Sequence, residues 1–119
     1  MQTMEQKKRA DHTISFLEDF IKEHLDEDLS LVRLAELVYL NPSYLSRIYK
    51  QETGRNLTEF IDSIRLLKAK DLLKNDNMRI NDIARRVGYE TATSFTRFFK
   101  KATGCSPQEY REKYILRTT

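Results

Sequence analysis

The sequence predicts an all-α fold made of two similar halves. Three observations carry that prediction. Three Gly, two Pro and no Trp in 119 residues, beside abundant Leu, Ile, Lys, Glu and Arg, suit helices. Apolar residues recur at three- and four-residue steps, and no stretch sustains the alternation of a strand. Finally, the chain says nearly the same thing twice. LVRLAELVYLNPSYLSRIYKQETGRNLTEF, from Leu31, returns as INDIARRVGYETATSFTRFFKKATGCSPQEY, from Ile80. The offset is 49 residues at Ala35/Ala84 and Val38/Val87. It becomes 50 at Arg47/Arg97, Lys50/Lys100, Thr53/Thr103, Gly54/Gly104 and Glu59/Glu109, because the second copy carries one extra residue between its two helical segments.

The elements follow in order. Residues 1–10 are polar and read as a flexible segment. Ile14, Leu17, Ile21 and Leu25 mark an amphipathic helix, with Phe16 and Phe20 widening its apolar face and Asp26 to Asp28 ending it. Ser30 caps a short helix through Val38. Asn41-Pro42 restarts the chain: Asn caps, and Pro takes the first helical position, where its missing N–H costs nothing. That helix turns Leu45, Ile48 and Tyr49 inward and stops at Gly54. Asn56-Leu-Thr-Glu59 resembles a capping box and opens a longer helix with Phe60, Ile61, Ile64, Leu67, Leu72 and Leu73 as its apolar positions. Asn75-Asp76-Asn77 breaks it. Ile80 to Val87 is another short helix, followed by Gly88 in a positive-φ turn. The next helix, Thr91 to Ala102, turns Phe95, Phe98 and Phe99 inward, and Gly104 stops it. Ser106-Pro-Gln-Glu109 is a second capping box and starts the last helix, through Tyr114.

At this length the chain is one domain or two very small ones, and each copy alone is too short to bury much apolar surface. No apolar run approaches the roughly 20 residues of a membrane span, and no signal peptide is visible. The lone Cys105 has no ligand cluster around it and fits a reducing cytoplasm. His12 and His24 complete no metal pattern, and no cofactor is expected. Charge is polarised. Residues 1–40 hold five basic and nine acidic side chains, and residues 41–119 hold sixteen and nine. The excess of positive charge begins at the first Arg/Lys-bearing helix, which points to a polyanionic partner.

Each copy reads as a short helix, a tight turn and a second helix with an apolar back and a basic front. That is the logic of a helix-turn-helix, whose second helix fits the major groove. A core explains a repeated apolar residue; it does not explain a repeated exposed Arg and Lys. In the first copy the outer face presents Ser43, Tyr44, Ser46, Arg47 and Lys50. In the second it presents Ala92, Thr93, Thr96, Arg97, Lys100 and Lys101. Arg pairs with guanine, Ser and Thr bond several base edges, and Ala or a Thr methyl packs on the thymine methyl. Whether Arg47 and Arg97 meet bases or phosphates is open on this reading. Lys50, Lys100 and Lys101 are phosphate neutralisers or solvated side chains. Arg65 and Lys68 either touch phosphate or pair with Asp62 and Asp71 at i,i+3 spacing.

At these residues the chain resembles the AraC/XylS family of transcription regulators. VGYETATSFTRFFKKATGCSPQEYR is similar to the family signature and NPSYLSRIYKQETGRNLTEFI to its first-half segment; the resemblance covers about residues 12–115. It implies seven helices in two helix-turn-helix subdomains, residues 11–56 and 76–119 with a short C-terminal tail, joined by a connecting helix over 57–75. It also implies that both reading helices enter adjacent major grooves on one face of a double-stranded DNA. Successive openings lie about 34 Å apart, and a connecting helix of roughly 25 Å with a reading helix outside each end approaches that span; any shortfall is made up by bending the DNA. The pattern departs at Arg79, which stands where Ser30 caps the first copy, cannot accept a helix N–H, and is a candidate phosphate contact. It departs also at Ala92, where family members often hold a larger polar residue.

The resulting expectation is a bacterial, cytoplasmic, nucleoid-associated regulator that binds DNA sequence-specifically and contacts or occludes RNA polymerase. It has no membrane partner, and the chain reads as a piece of a larger protein with a sensor or receiver domain. An enzyme reading finds no nucleophile–base pair, phosphate-cradling glycine loop or metal spacing. An alternative is a helical protein-interaction adaptor that has lost DNA binding. It would carry apolar residues in place of Arg47, Thr96, Arg97 and Lys100. An RNA-binding protein would show exposed aromatics on loops.

Overall fold

The structure, a computed structural model, describes residues 3–115. Seven α-helices follow one another among them: α1 Met4–Glu23, α2 Leu31–Leu37, α3 Pro42–Thr53, α4 Leu57–Leu73, α5 Ile80–Arg86, α6 Ala92–Thr103 and α7 Pro107–Tyr110. A wider π-helical turn over Arg111–Ile115 continues α7. No strand occurs among the described residues. The chain divides into two compact units at Asp62/Ser63, so α4 gives its first residues to one unit and the rest to the other.

In the first unit, α1 starts earlier than its composition suggests. Residues 4–10 are helical, which corrects the flexible reading of residues 1–10. Thr3 accepts from the Gln6 N–H at 3.1 Å, and the Gln6 side chain accepts from the Thr3 N–H at 2.9 Å. This reciprocal cap closes two of the donors that a helix start leaves open. Lys7 reaches Glu52 of α3 at 3.6 Å. Residues 1–2 lie outside the described residues.

The core of this unit is Leu17, Ile21, Leu25 and Leu29 against Leu34 and Ala35 of α2, Leu45, Ile48 and Tyr49 of α3, and Leu57, Phe60 and Ile61 at the start of α4. Tyr49 is fully buried along its ring, while its hydroxyl donates to the Glu18 carboxylate at 2.7 Å. Burial and that carboxylate push the phenol pKa upward. Phe16 is 51% exposed and stacks outside the core on Phe20, so the apolar face of α1 is narrower than its aromatic residues suggest. The helix also ends sooner, at Glu23. His24 is half-buried: its ring lies on Phe20 at 4.0 Å, and Nδ1 sits 2.8 Å from the Phe20 carbonyl oxygen.

In the second unit, Ala69, Leu72 and Leu73 of α4 pack with Ile83, Ala84, Val87, Phe95 and Phe99. Tyr89, Phe95, Phe99 and Tyr110 form a run of ring contacts with centroids 5.3–6.0 Å apart. Leu67 belongs to the apolar pattern of α4 yet is 64% exposed, and Ala69 takes the buried place instead. Periodicity marks a face; it does not say which turns of that face meet a neighbour.

The same backbone device stops α2 and α5. Leu40 N–H donates to the Ala35 carbonyl at 3.0 Å, and Tyr89 N–H to the Ala84 carbonyl at 2.9 Å. Each is a six-to-one closure with the residue before it in the left-handed region, Tyr39 at φ 57° and Gly88 at φ 99°. Glu90 is the extra residue of the second copy, lying before the Thr91 cap of α6. The stops of α3 and α6 also repeat. Gly54 and Gly104 take φ 83° and 90°, and the Thr53 and Thr103 hydroxyls lie 2.7 and 2.9 Å from the carbonyls of Tyr49 and Phe99. Among the described residues no helix is long and apolar enough to cross a membrane.

Candidate nucleic-acid interface

The second helix of each copy is set by its cap. Asn41 accepts from the N–H groups of Ser43 and Tyr44, and Pro42 occupies the first turn of α3. Thr91 accepts from the Ser94 N–H at the start of α6. Behind them α3 packs on α2, and α6 on α5. Ala35 and Ala84, both buried, keep those pairs close.

The two helices then bury and expose their residues in one register. On α3, Leu45, Ile48 and Tyr49 are buried, Ser46 is half-buried, and Ser43, Tyr44, Arg47 and Lys50 are exposed. Fifty positions later Phe95 and Phe99 are buried and Phe98 half-buried. Ala92 and Thr96 are half-buried, and Thr93, Arg97, Lys100 and Lys101 are exposed. The sequence repeat is therefore a repeat of surfaces. In the first unit an open concavity of about 580 Å³ gathers Ser43, Ser46, Arg47 and Lys50, together with Gln51 and with Leu31 from α2. Sequence reasoning missed the last two. Gln51 was legible, since it lies one turn beyond Arg47 (i,i+4 places them on one face); Leu31 needs the packing of α2 on α3.

Among the described residues no Arg or Lys of these faces forms an ion pair. The ion pairs among the described residues join Lys7 to Glu52, Arg9 to Glu5, His24 to Glu27 and Arg33 to Glu36, none of them on a reading face apart from the far end of α3 at Glu52. Arg47 lies over the Tyr44 ring, 5.6 Å from its centroid. That contact holds a planar guanidinium against an aromatic face, and its N–H groups make no hydrogen bond or ion pair among the described residues. Lys50 and Lys100 stand in the last turns of α3 and α6, where the helix dipole also favours a cation.

The remaining candidates divide. Arg79 is exposed at the start of α5 and makes no side-chain cap bond, as its chemistry requires. Arg65 does not pair with Asp62: it lies over the Tyr89 ring at 5.4 Å, and its Nε is buried with no hydrogen-bond partner. Lys68 is exposed and forms no ion pair with Asp71 among the described residues. Among those residues no group of three or more His, Cys, Asp or Glu side chains is arranged to hold a metal ion. Cys105 is half-buried, its carbonyl accepting from the Thr103 hydroxyl at 3.0 Å.

A family model for a helix-turn-helix domain matches residues 34–113. The arabinose operon regulatory protein of Escherichia coli (strain K12) is 37% identical over 93 residues, which is 77% of this chain and 32% of that protein. The uncharacterized HTH-type transcriptional regulator YobQ of Bacillus subtilis (strain 168) is 36% identical over 92 residues, 77% of this chain and 38% of that protein. Among solved structures, the C-terminal domain of AraT, a response regulator from Geobacillus stearothermophilus, matches with a TM-score of 0.82 at 38% identity, covering 87% of each chain. The DNA-binding domain of AdpA, solved in complex with a target DNA, matches with a TM-score of 0.79 at 25% identity, covering 87% of this chain and 94% of that one. This chain spans well under half the length of the curated relatives it matches. With the duplicated motif, the all-helical fold and these matches in hand, the chain belongs to the AraC/XylS family of helix-turn-helix transcription regulators and contains its DNA-binding domain.

Proposed function

We propose that α3 and α6 enter adjacent major grooves on one face of a single duplex and read it together. Ser43, Tyr44, Ser46 and Arg47 meet base edges in one groove; Ala92, Thr93, Thr96 and Arg97 meet them in the next. Lys50, Lys100 and Lys101 neutralise phosphates, and Arg79 reaches a further one at the start of α5. The observation that carries this reading is the shared burial register, which leaves Arg47 and Arg97 exposed at equivalent positions and without an ion pair among the described residues. At 17 residues α4 is about 25 Å long, a length suited to two grooves about 34 Å apart. One chain then covers an asymmetric site of about two turns, where a symmetric dimer would need a palindrome.

The chain works in the cytoplasm, on the nucleoid, as the output domain of a longer regulator. Its short coverage of its relatives supports that, as does its likeness to the C-terminal domain of the response regulator AraT. DNA occupancy is passed on through contact with RNA polymerase or occlusion of it.

The test is a titration of the wild-type chain, R47A and R97A on a matched and a scrambled duplex. Loss of a base contact costs about 1–3 kcal/mol on the matched site and removes discrimination. Loss of a phosphate contact weakens both duplexes alike. Unchanged affinity in both variants removes these residues from the interface.

A further inference from the structure

Among the described residues Tyr39 alone combines a side chain with a positive φ, at 57°. Its counterpart in the second copy is Gly88, at φ 99°. Their backbone bonds establish the equivalence: Tyr39 N–H donates to the Glu36 carbonyl at 3.2 Å, and Gly88 N–H to the Arg85 carbonyl at 3.1 Å. Glycine holds this left-handed stop without penalty, whereas a Cβ crowds the following carbonyl. The closing backbone bonds are the same in both copies, and no side-chain contact of Tyr39 among the described residues offsets that crowding. The Tyr39 side chain is 95% exposed and engages no hydrogen bond or ring contact among the described residues. A strained residue with no internal use directs attention to an external one.

Its place in the chain narrows the partner. Tyr39 stands two residues before Asn41, the cap of α3, at the end of that helix that meets DNA in a helix-turn-helix. The next residue, Leu40, lines an open groove of about 300 Å³ with Gln6, Arg9 and Tyr44. Arg9 closes the exposed basic run Lys7-Lys8-Arg9 on α1. Ala10, Thr13 and Ile48 complete the groove's lining, and Lys7 and Arg9 face Glu52 and Glu5. The exposed Lys8, which has no ion pair among the described residues, and the place at the start of α3 favour a phosphodiester strand as the partner.

The geometry points to Tyr39 as a further DNA-contact residue, its hydroxyl donating to a phosphate oxygen and its ring packing on deoxyribose beside the groove that α3 enters. This rests on the proposed reading of α3. The duplicate copy, with Gly88, lacks the contact, so the first half of the binding site is gripped through its backbone in a way the second is not.

The consequence is a pair of effects with opposite sign. In Y39G the strain is relieved, and the melting temperature rises by about 3 °C after allowance for the added freedom of the unfolded chain. The same variant binds DNA about three- to tenfold more weakly. The probe is a duplex selected by the wild-type chain from a randomised pool, used with wild type, Y39G, Y39F and R47A. Y39F, which keeps the ring and loses the hydroxyl, falls between wild type and Y39G. A lower melting temperature in Y39G overturns the strain argument, and wild-type affinity in Y39G overturns the contact. Wild-type affinity with lost reporter activation assigns Tyr39 to a protein partner and overturns the contact equally. Wild-type affinity in R47A overturns the reading of α3 itself, whatever Tyr39 does.

Discussion

Arg111 donates from Nε to the carbonyl oxygen of Leu73, the last residue of α4, at 3.0 Å. Its Nη2 donates to the carbonyls of Asn75 and Met78, each at 2.9 Å. The side chain is almost wholly buried. A cation is thus placed where α4 ends and leaves carbonyls without helical partners, an arrangement favoured by the unmade bonds and by the helix dipole. One guanidinium fastens α7 to the α4–α5 turn and so braces the second unit behind α6.

Replacing Arg111 by Met therefore removes three hydrogen bonds and leaves the Leu73 and Met78 carbonyls without the guanidinium donor, while the Asn75 carbonyl keeps the Met78 N–H. The expected destabilisation is about 2–4 kcal/mol, read as a shift in the urea midpoint. R111K recovers less than half of it, because a single ammonium cannot reproduce a fork that spans three acceptors. A loss below about 0.5 kcal/mol in R111M would show that water replaces these bonds freely.

Much of the fold was legible in the sequence because its signals are local. Asn41-Pro42, Ser106-Pro107, Gly54 and Gly104 act on the neighbouring turn, and each element boundary they mark is found. Asn56-Glu59 was legible with one difference: Glu59 bonds the Asn56 side-chain amide at 2.8 Å. Residues 4–10 escaped because a polar helix is held there by its Thr3 cap and by Lys7 reaching another helix. Arg111 was visible only as part of a resemblance, since its partners lie 33–38 residues away. On the candidate site, residue types and register were legible from the repeat. The left-handed Tyr39 and the stacking of Arg47 on Tyr44 were not, because each depends on backbone or side-chain angles that no spacing encodes.

Tyr49 and Glu18 predict behaviour at high pH. The buried phenol has its pKa raised above the ordinary value of 10.0. Above that value the unfolded chain sheds a proton that the folded chain keeps, so stability from this group is present below it and declines as pH rises. Y49F removes the hydroxyl bond at a cost of about 1 kcal/mol near neutrality and also removes that alkaline decline. Thermal melts from neutral pH upward check both effects; an unchanged alkaline slope would assign it to other groups.

Glu109 and Asp28 predict behaviour in acid. The Ser106 backbone N–H bonded to the Glu109 carboxylate, with help from the Ser106 hydroxyl, holds its pKa below 4.5. The Ser30 N–H does the same for Asp28 below 3.8. Both groups therefore support the fold above their ordinary values and lose that support as pH falls through the lowered ones. E109Q keeps an acceptor but cannot titrate, so its melting temperature falls less steeply below about pH 4.5 than that of wild type. Parallel curves would place the acid sensitivity elsewhere.

The most direct test of the central claim is a hydroxyl-radical footprint on a duplex selected by the wild-type chain. The wild type is expected to protect two patches on one face, about one helical turn apart. R47A is expected to lose protection at one patch while R97A loses it at the other. A single protected patch, or the same patch weakened in both variants, would contradict the account of two helices reading one duplex.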